Sequence, residues 1–270
     1  MNLQVILFHL TCTPVTIEFF KYQGTGNDFV VIDNSTGHIS LGKEAIVRLC
    51  DRKFGIGSDG VVLIERSDSA DFYMNFYNPD GSQSFCGNGS RCAVRFAQKI
   101  GLTGNVGQFG AIDMVHSFQS DADEVRIQMR NVRSVEKSGE DQIIQTGSPH
   151  YIVFTDDPSS VDIVSEARKI RYNNRFADEG INVNFVKEGQ DEIWMRTYER
   201  GVEDETLSCG TGVTAAALAY ASRRSTNGLV KVHTQGGDLS VNLSLDQDGG
   251  FSNIWLCGPA HFVFKGTIDL

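Results

Sequence analysis

Two short runs hold the residues best suited to chemistry. Phe85-Cys86-Gly87-Asn88-Gly89-Ser90-Arg91-Cys92-Ala93 is echoed by Ser208-Cys209-Gly210-Thr211-Gly212-Val213-Thr214-Ala215-Ala216. Both read Cys-Gly-x-Gly and both open a helical pattern. A helix N-terminus carries unpaired N–H groups and a partial positive charge. A cysteine placed there is expected to have its pKa lowered from ~8.5, which makes thiolate available near neutral pH. The glycines let a ligand approach the backbone closely, and the free N–H groups suit a carboxylate. Either run alone reads equally well as a tight strand-to-helix turn with a buried cysteine. Two copies, equivalently placed, would aim two thiols at one ligand from opposite sides. Two such acid/base groups suit a racemase or epimerase: one thiolate removes the α-proton and the opposing thiol protonates the other face. The N–H groups would stabilise the charge that develops on the adjoining carboxylate. This scheme needs no cofactor. The chain has no dinucleotide-type glycine fingerprint, and no lysine stands out as a Schiff-base residue.

The other cysteines, Cys12, Cys50, Cys92 and Cys257, read as small core hydrophobes. There is no Cys-x-x-Cys and no His-x-x-x-His pair, so no metal site is expected. Six cysteines in 270 residues do not make a disulfide scaffold. With 40% apolar and 21% charged residues the chain reads as globular, and a net charge of −10 argues against nucleic acid or anionic lipid as a partner. No apolar run approaches the ~20 residues of a membrane-spanning helix. The stretch Val5–Leu10 has no preceding Lys or Arg, so a cytoplasmic protein with a small-molecule substrate is expected.

These motifs must be positioned by many strands and few helices. Strand patterns are read at Phe29–Asp33, Val61–Ile64, Asp71–Tyr77, Val125–Met129, Tyr151–Phe154, Val183–Val186, Ile193–Tyr198, Val230–His233, Leu239–Leu243, Ile254–Leu256 and Phe262–Phe264. Helical patterns cover Lys43–Cys50, Ser90–Ile100, Ile163–Ile170 and Val213–Arg223. Val135–Gln142 reads as a polar loop near a boundary. The helix after Cys209 is apolar almost all round, which requires the rest of its half to wrap it. The expected fold class is α/β (α+β), with two pseudo-symmetric domains, each a curled sheet around a central helix.

From about Ile17 to Leu270 the chain resembles the diaminopimelate epimerase family. The resemblance rests on Lys21-Tyr-Gln-Gly-Thr-Gly-Asn-Asp-Phe29, Gly55-Ile-Gly-Ser-Asp-Gly60, Tyr77-Asn-Pro-Asp-Gly81 and the Cys86 motif. In the second half it rests on Gly147-Ser-Pro-His150, Tyr198-Glu-Arg-Gly201 and the Cys209 motif. It implies epimerisation of LL- and meso-diaminopimelate without pyridoxal phosphate, with Cys86 and Cys209 as the acid/base pair. It also implies domains at 17–128 plus 259–270 and at 129–258, with 1–16 an unassigned extension, and a homodimer as in the family. Asn27, Asn78 and Asn182 correspond to amides that bond substrate, Arg200 to a carboxylate clamp and Glu199 to an acceptor for an ammonium. Backbone N–H groups of Gly87, Asn88, Gly210 and Thr211 would hold the reacting carboxylate, and His150 stands near the pair. Plainer readings exist: Asn27 and Asn78 as turn residues, Glu199-Arg200 as a surface pair, His150 as a loop histidine. Ser148 stands where many members have Asn, and Gly60 where some have Gln. The alternatives are a proline or hydroxyproline racemase, which typically has His after the first Cys-Gly where this chain has Asn88, and a thiol-redox or zinc-binding protein.

Overall fold

The computed structural model describes residues 16–270. Residues 1–15, most of the unassigned extension and Cys12 with it, lie outside that range, whereas Thr16 already belongs to the first strand. The first part of the chain contributes β1 (Thr16–Gly24), β2 (Asn27–Asp33), α1 (Lys43–Cys50), β3 (Val61–Glu65) and β4 (Phe72–Tyr77). It continues through α2 (Gly87–Lys99), β5 (Val106–Gly110), β6 (Val115–Ser120) and β7 (Val125–Gln128). The second part runs through β8 (Glu136–Ser138), β9 (Asp141–Gln145), β10 (Pro149–Phe154), α3 (Ile163–Arg171), β11 (Asn182–Glu188), β12 (Glu192–Glu199) and β13 (Asp204–Thr206). After these come α4 (Gly210–Arg224), β14 (Gly228–Thr234), β15 (Gly237–Leu245) and β16 (Phe251–Gly258). The last strand, β17 (His261–Asp269), returns to pair antiparallel with β1.

The strand pairing repeats. In the first part β1–β2, β3–β4, β5–β6 and β6–β7 are antiparallel while β2–β3 and β4–β5 are parallel. In the second, β9–β10, β11–β12, β14–β15 and β15–β16 are antiparallel while β10–β11 and β12–β14 are parallel. Parallel neighbours need a crossover, and each of the four is made by one of the four helices. β17 stands beside β1 as β8 stands beside β9. A seam between β7 and β16 joins the two sets into one sheet.

Burial on both faces explains the apolar runs. Phe29 and Val31 of β2, and Val62 and Ile64 of β3, face the central helix α2 and belong to the main core. Val30, Ile32, Val61 and Leu63 face the other way, onto Ile46 and Leu49 of α1. The second half repeats the layering, with Val183 and Phe185 of β11 against Ile163 and Ala167 of α3. Strands covered on both sides read as continuous hydrophobic stretches rather than alternation. In α4 every residue from Gly210 to Ala221 is buried. Its alanines let strands approach from all sides.

The pattern missed several elements for definite reasons. Val135–Gln142 is not a loop: it contains β8, the turn at Gly139 (φ 66°) and the start of β9. Glu136, Lys137 and Glu140 face solvent and Gln142 is buried, while Ile143 and Ile144 face the two cores. Both central helices start three residues earlier than read, because their glycines occupy the first turn rather than precede it. β1 has weak alternation since adjacent Phe19 and Phe20 are buried on opposite faces. β5 has Gly107 and Gly110, the latter lying against the Tyr73 ring, which leaves little side-chain pattern to read.

Candidate active site

Cys86 and Cys209 are the N-cap residues of α2 and α4. Their backbones are nearly identical, at φ −129°, ψ 110° and φ −122°, ψ 113°. The Cys86 Sγ accepts from the Gly89 N–H at 3.4 Å, and its S–H faces Asn27 Oδ1 at 4.0 Å. The Cys209 Sγ lies 3.4 Å from Thr211 Oγ1. The two helix starts touch. A methyl group placed on Gly210 would sit 3.2 Å from Gly87 Cα and 3.3 Å from Asn88 N, and both glycines rest on Leu256. The unpaired first-turn N–H groups of two helices are therefore gathered at one junction.

The expected depression of the thiol pKa values is not what this environment produces. Burial pushes Cys86 up to about 12, opposed by N–H donation from Gly89 and Asn88 and reinforced by the Glu199 carboxylate. Burial also pushes Cys209 up, with Glu199 adding to it and Thr211 and Gly212 opposing. Desolvation outweighs the helix ends because Cys209 is only 8% exposed.

Beneath Cys209 lies a sealed polar network. β10 and β11 are paired in parallel with His150 opposite Asn182, so His150 and Asn184 point from the sheet toward the start of α4. The Asn184 amide donates to His150 Nδ1 at 3.2 Å and accepts from Thr197 Oγ1 at 2.9 Å. Nδ1 is thus an acceptor, and the ring proton sits on Nε2, facing Ser148 Oγ at 2.9 Å and Thr211 Oγ1 at 3.0 Å. Ser148 Oγ is also 3.0 Å from Thr211 Oγ1. The departure at Ser148 therefore places a hydroxyl on this network. His150 is fully buried and reaches the cysteine only through Thr211.

Burial lowers His150 to about 3, with the Arg200 charge adding to the effect. An unfolded histidine titrates near ~6.5. Between these values the unfolded chain binds a proton that the folded chain refuses, so stability falls as pH drops from about 6.5 toward 3. Urea unfolding at pH 5 and pH 7.5 should show this loss, and His150→Asn should diminish it. An unchanged pH dependence in that variant would exclude His150 as the source.

On the other side, Asn88 Nδ2 donates to Ser208 O at 3.0 Å and to Asn27 Oδ1 at 3.3 Å. Among the described residues the Asn88 Oδ1, though buried, has no hydrogen-bond partner. Asn27 Nδ2 donates to Asp59 at 2.7 Å, and Arg52 bridges Asp59 and Asp28. Buried Lys21 pairs with Asp28 at 2.6 Å. Asn78, by contrast, is tied into its own turn, donating to Ser82 and Ser84. Asn182 Nδ2 donates to Pro149 O and to Ser148 Oγ, and its Oδ1 accepts from the Arg200 N–H at 2.9 Å.

The end of β12 separates Glu199 from its neighbour Arg200, which lies in the turn that follows. Ile193, Met195 and Thr197 of β12 face the core, and Glu199 ends the same row, accepting from Thr206 Oγ1 at 2.8 Å. Desolvation raises its pKa. Arg200 is exposed, and its Nη1 donates to Glu179 O at 3.0 Å. The sequence reading gave no role to Thr25, Asp59, Arg91, Asn184, Thr197 or Ser208. Thr25, Asp59, Arg91 and Ser208 lie inside the family motifs, whereas the strand register alone brings Asn184 here. Cys50, Cys92 and Cys257 are buried, as expected of core residues. Among the described residues no three His, Cys, Asp or Glu side chains converge as a metal site would require, and no helix is long and apolar enough to cross a membrane.

Residues 19–135 and 142–263 match the family model described as diaminopimelate epimerase. The chain is 45% identical to the diaminopimelate epimerase of Flavobacterium psychrophilum, over 93% of this chain and 100% of that one. It is 40% identical to that of Chlorobaculum tepidum, over 92% and 99% of the two chains. Among solved structures, a Bacillus anthracis phenazine biosynthesis protein of the PhzF family superposes with a TM-score of 0.72 at 14% identity, covering 94% and 99% of the two chains. A probable proline racemase from Agrobacterium radiobacter gives 0.70 at 15%, covering 94% and 93%. These two share the fold.

Proposed function

The chain belongs to the diaminopimelate epimerase family, and on that basis we propose that it interconverts LL- and meso-2,6-diaminopimelate through Cys86 and Cys209. This isomerase would act in the cytoplasm, in lysine and peptidoglycan-precursor biosynthesis. The observation that carries the reading is the contact between two cysteine-capped helix starts at Gly87 and Gly210. One carboxylate at that junction can receive N–H groups of Gly87, Asn88, Gly210 and Thr211. One sulfur, as thiolate, takes the α-proton, and the electron pair delocalises into the carboxylate. The other sulfur gives its proton to the opposite face, so a thiolate and a thiol remain with places exchanged. Nothing else is consumed.

Glu199 supplies the complementary charge for the α-ammonium. Its carboxylate raises both thiols, so an arriving ammonium offsets that repulsion and favours thiolate when substrate is present. Arg200 clamps the distal carboxylate, with Asn27, Asn78 and Asn182 as further amide contacts. Ser148 and His150 act through Thr211. Because Cys209 is nearly enclosed, substrate entry requires the two halves to part. We assign these halves as 17–128 plus 259–270 and 129–258, with chain crossings after β7 and after β16. The exposed Phe262, Val263 and Phe264 on β17, which pairs only with β1 among the described residues, support a homodimer along that edge. Sedimentation as a monomer at micromolar concentration would remove that part.

The deciding experiment follows the α-proton of LL-diaminopimelate by NMR in deuterated buffer without added pyridoxal phosphate, with proline as the control substrate. Exchange with formation of the meso isomer is expected. Exchange with proline alone would move the assignment to the sister activity. A second outcome is expected from the junction itself. Mild oxidation should link Cys86 to Cys209 and abolish turnover, and dithiothreitol should restore it. Oxidised protein that stays fully active, or peptide maps without that bridge, would refute the facing arrangement.

A further inference from the structure

The neighbours of Asn27 allow its amide one orientation. Its Nδ2 lies 2.7 Å from Asp59 Oδ2, an acceptor, and its Oδ1 lies 3.3 Å from Asn88 Nδ2, a donor. Asn88 is fixed in turn by Ser208 O, a carbonyl 3.0 Å from the same Nδ2. Turning the Asn27 amide over would set oxygen against carboxylate at one end and NH2 against NH2 at the other. Asp59 is itself firmly held. The parallel pairing of β2 with β3 brings it beside Asp28, whose N–H donates to Asp59 Oδ2 at 3.2 Å and whose carbonyl accepts from the Asp59 N–H at 2.8 Å. Arg52 donates to Asp59 Oδ1 at 2.7 Å and also pairs with Asp28. Two acceptors are left over: Asn27 Oδ1, 4.0 Å from the Cys86 sulfur, and Asn88 Oδ1, buried and without a partner among the described residues. Such oxygens take a hydrogen-bond donor and repel a carboxylate.

Building on the two-thiol reading above, we propose that Asp59 is a positioning residue for the reaction: it holds Asn27 with its oxygen toward Cys86, where that oxygen accepts from the substrate's α-ammonium. Asn27 then serves the reacting end of the substrate rather than the distal carboxylate, and it serves as an acceptor. Without Asp59 the amide can turn, and an NH2 group then meets the ammonium. The ammonium is held alike before and during proton transfer, so the loss falls on KM more than on kcat.

The first measurement needs no turnover. In proton–nitrogen correlation spectra of the ligand-free protein, the side-chain amide pair missing from Asn27→Asp identifies Asn27. One of its protons should stand downfield, as a bond to a carboxylate requires, and should return to the range of free amides in Asp59→Asn. An Asn27 pair with no downfield proton in the unmodified protein overturns the proposal before any Asp59 variant is made. These spectra decide the point even in protein that leaves diaminopimelate unchanged, so this failure is distinct from failure of the epimerase reading. Kinetics supply the second measurement. Asp59→Asn should raise KM about tenfold or more, the scale of one hydrogen bond to a charged group, with a smaller change in kcat. General loosening of this half would lower kcat instead. Asn27→Asp sets two carboxylates together and should lower kcat/KM by about 10²-fold. Adding Asp59→Asn restores the bond with its direction reversed, keeps an oxygen toward Cys86, and should recover about tenfold of that loss. Adding Asp59→Ala relieves the repulsion but offers no donor, and should recover less. Thermal unfolding identifies the variants that are folded. A folded Asp59→Asn with unchanged KM, or an exchanged pair no better than the one carrying Asp59→Ala, overturns the proposal.

Discussion

Cys86→Ala and Cys209→Ala should each stop interconversion of the two isomers, lowering turnover by roughly 10²- to 10⁴-fold or more, the scale of one general acid or base. The fold should survive. Cys86→Ala removes one cap acceptor, the 3.4 Å contact from Gly89, at a cost of about 1 kcal/mol. Cys209 makes no side-chain cap bond to the α4 backbone. The informative readout is solvent exchange. With one sulfur left, the α-proton can be removed and returned only on the face that sulfur occupies. Each variant should therefore exchange one isomer without inverting it, and the two variants should choose opposite isomers. NMR in deuterated buffer separates exchange from inversion. Retention of most turnover by both variants, or the same isomer preference in both, would contradict the two-base assignment.

Gly210→Ala should reduce turnover by on the order of tenfold, and Gly210→Val by about 10²-fold or more. At this position a side chain meets backbone: Gly87 Cα at 3.2 Å and Asn88 N at 3.3 Å. A methyl forces the helix starts apart by a few tenths of an ångström, and a valine by more. The reacting atoms sit between those starts, where a displacement of about 1 Å can cost 10²-fold. Stability should fall by about 1–3 kcal/mol, as in other overpacked interiors. Turnover and urea unfolding measured together check the claim. Unchanged kcat in Gly210→Val would show that the helices do not set the distance between the two sulfurs.

The chemistry of this chain was legible because its two key motifs depend on local rules. Cys-Gly-x-Gly before an apolar helix dictates a cap, a flexible first turn and unpaired N–H groups wherever the chain places it. Its repetition, with matching strand and helix character around it, already carried the doubled architecture that the pairing scheme displays. Glu199 and Arg200 were likewise legible as a charged pair at a strand end. Their separation depends on where β12 stops: Glu199 ends the inward row of Met195 and Thr197, and Arg200 is exposed in the turn that follows.

What the sequence could not supply depends on which strand lies beside which. The parallel register of β10 and β11 sets Asn182 opposite His150 and Asn184 opposite Ile152, and so makes His150 a buried, neutral member of a network under Cys209. Thirty-four positions separate His150 from Asn184, and no local pattern links them. The thiols are the clearest case. Seen alone, a cysteine at a helix N-terminus is acidified by its own helix. In the folded chain two such helices close on one another, exclude water and bring Glu199 to both sulfurs, so desolvation reverses the direction. Residue type and spacing set the local conformation, and with it the chemical repertoire. Burial and electrostatic environment are sums over neighbours from the whole chain, and only the tertiary structure fixes them.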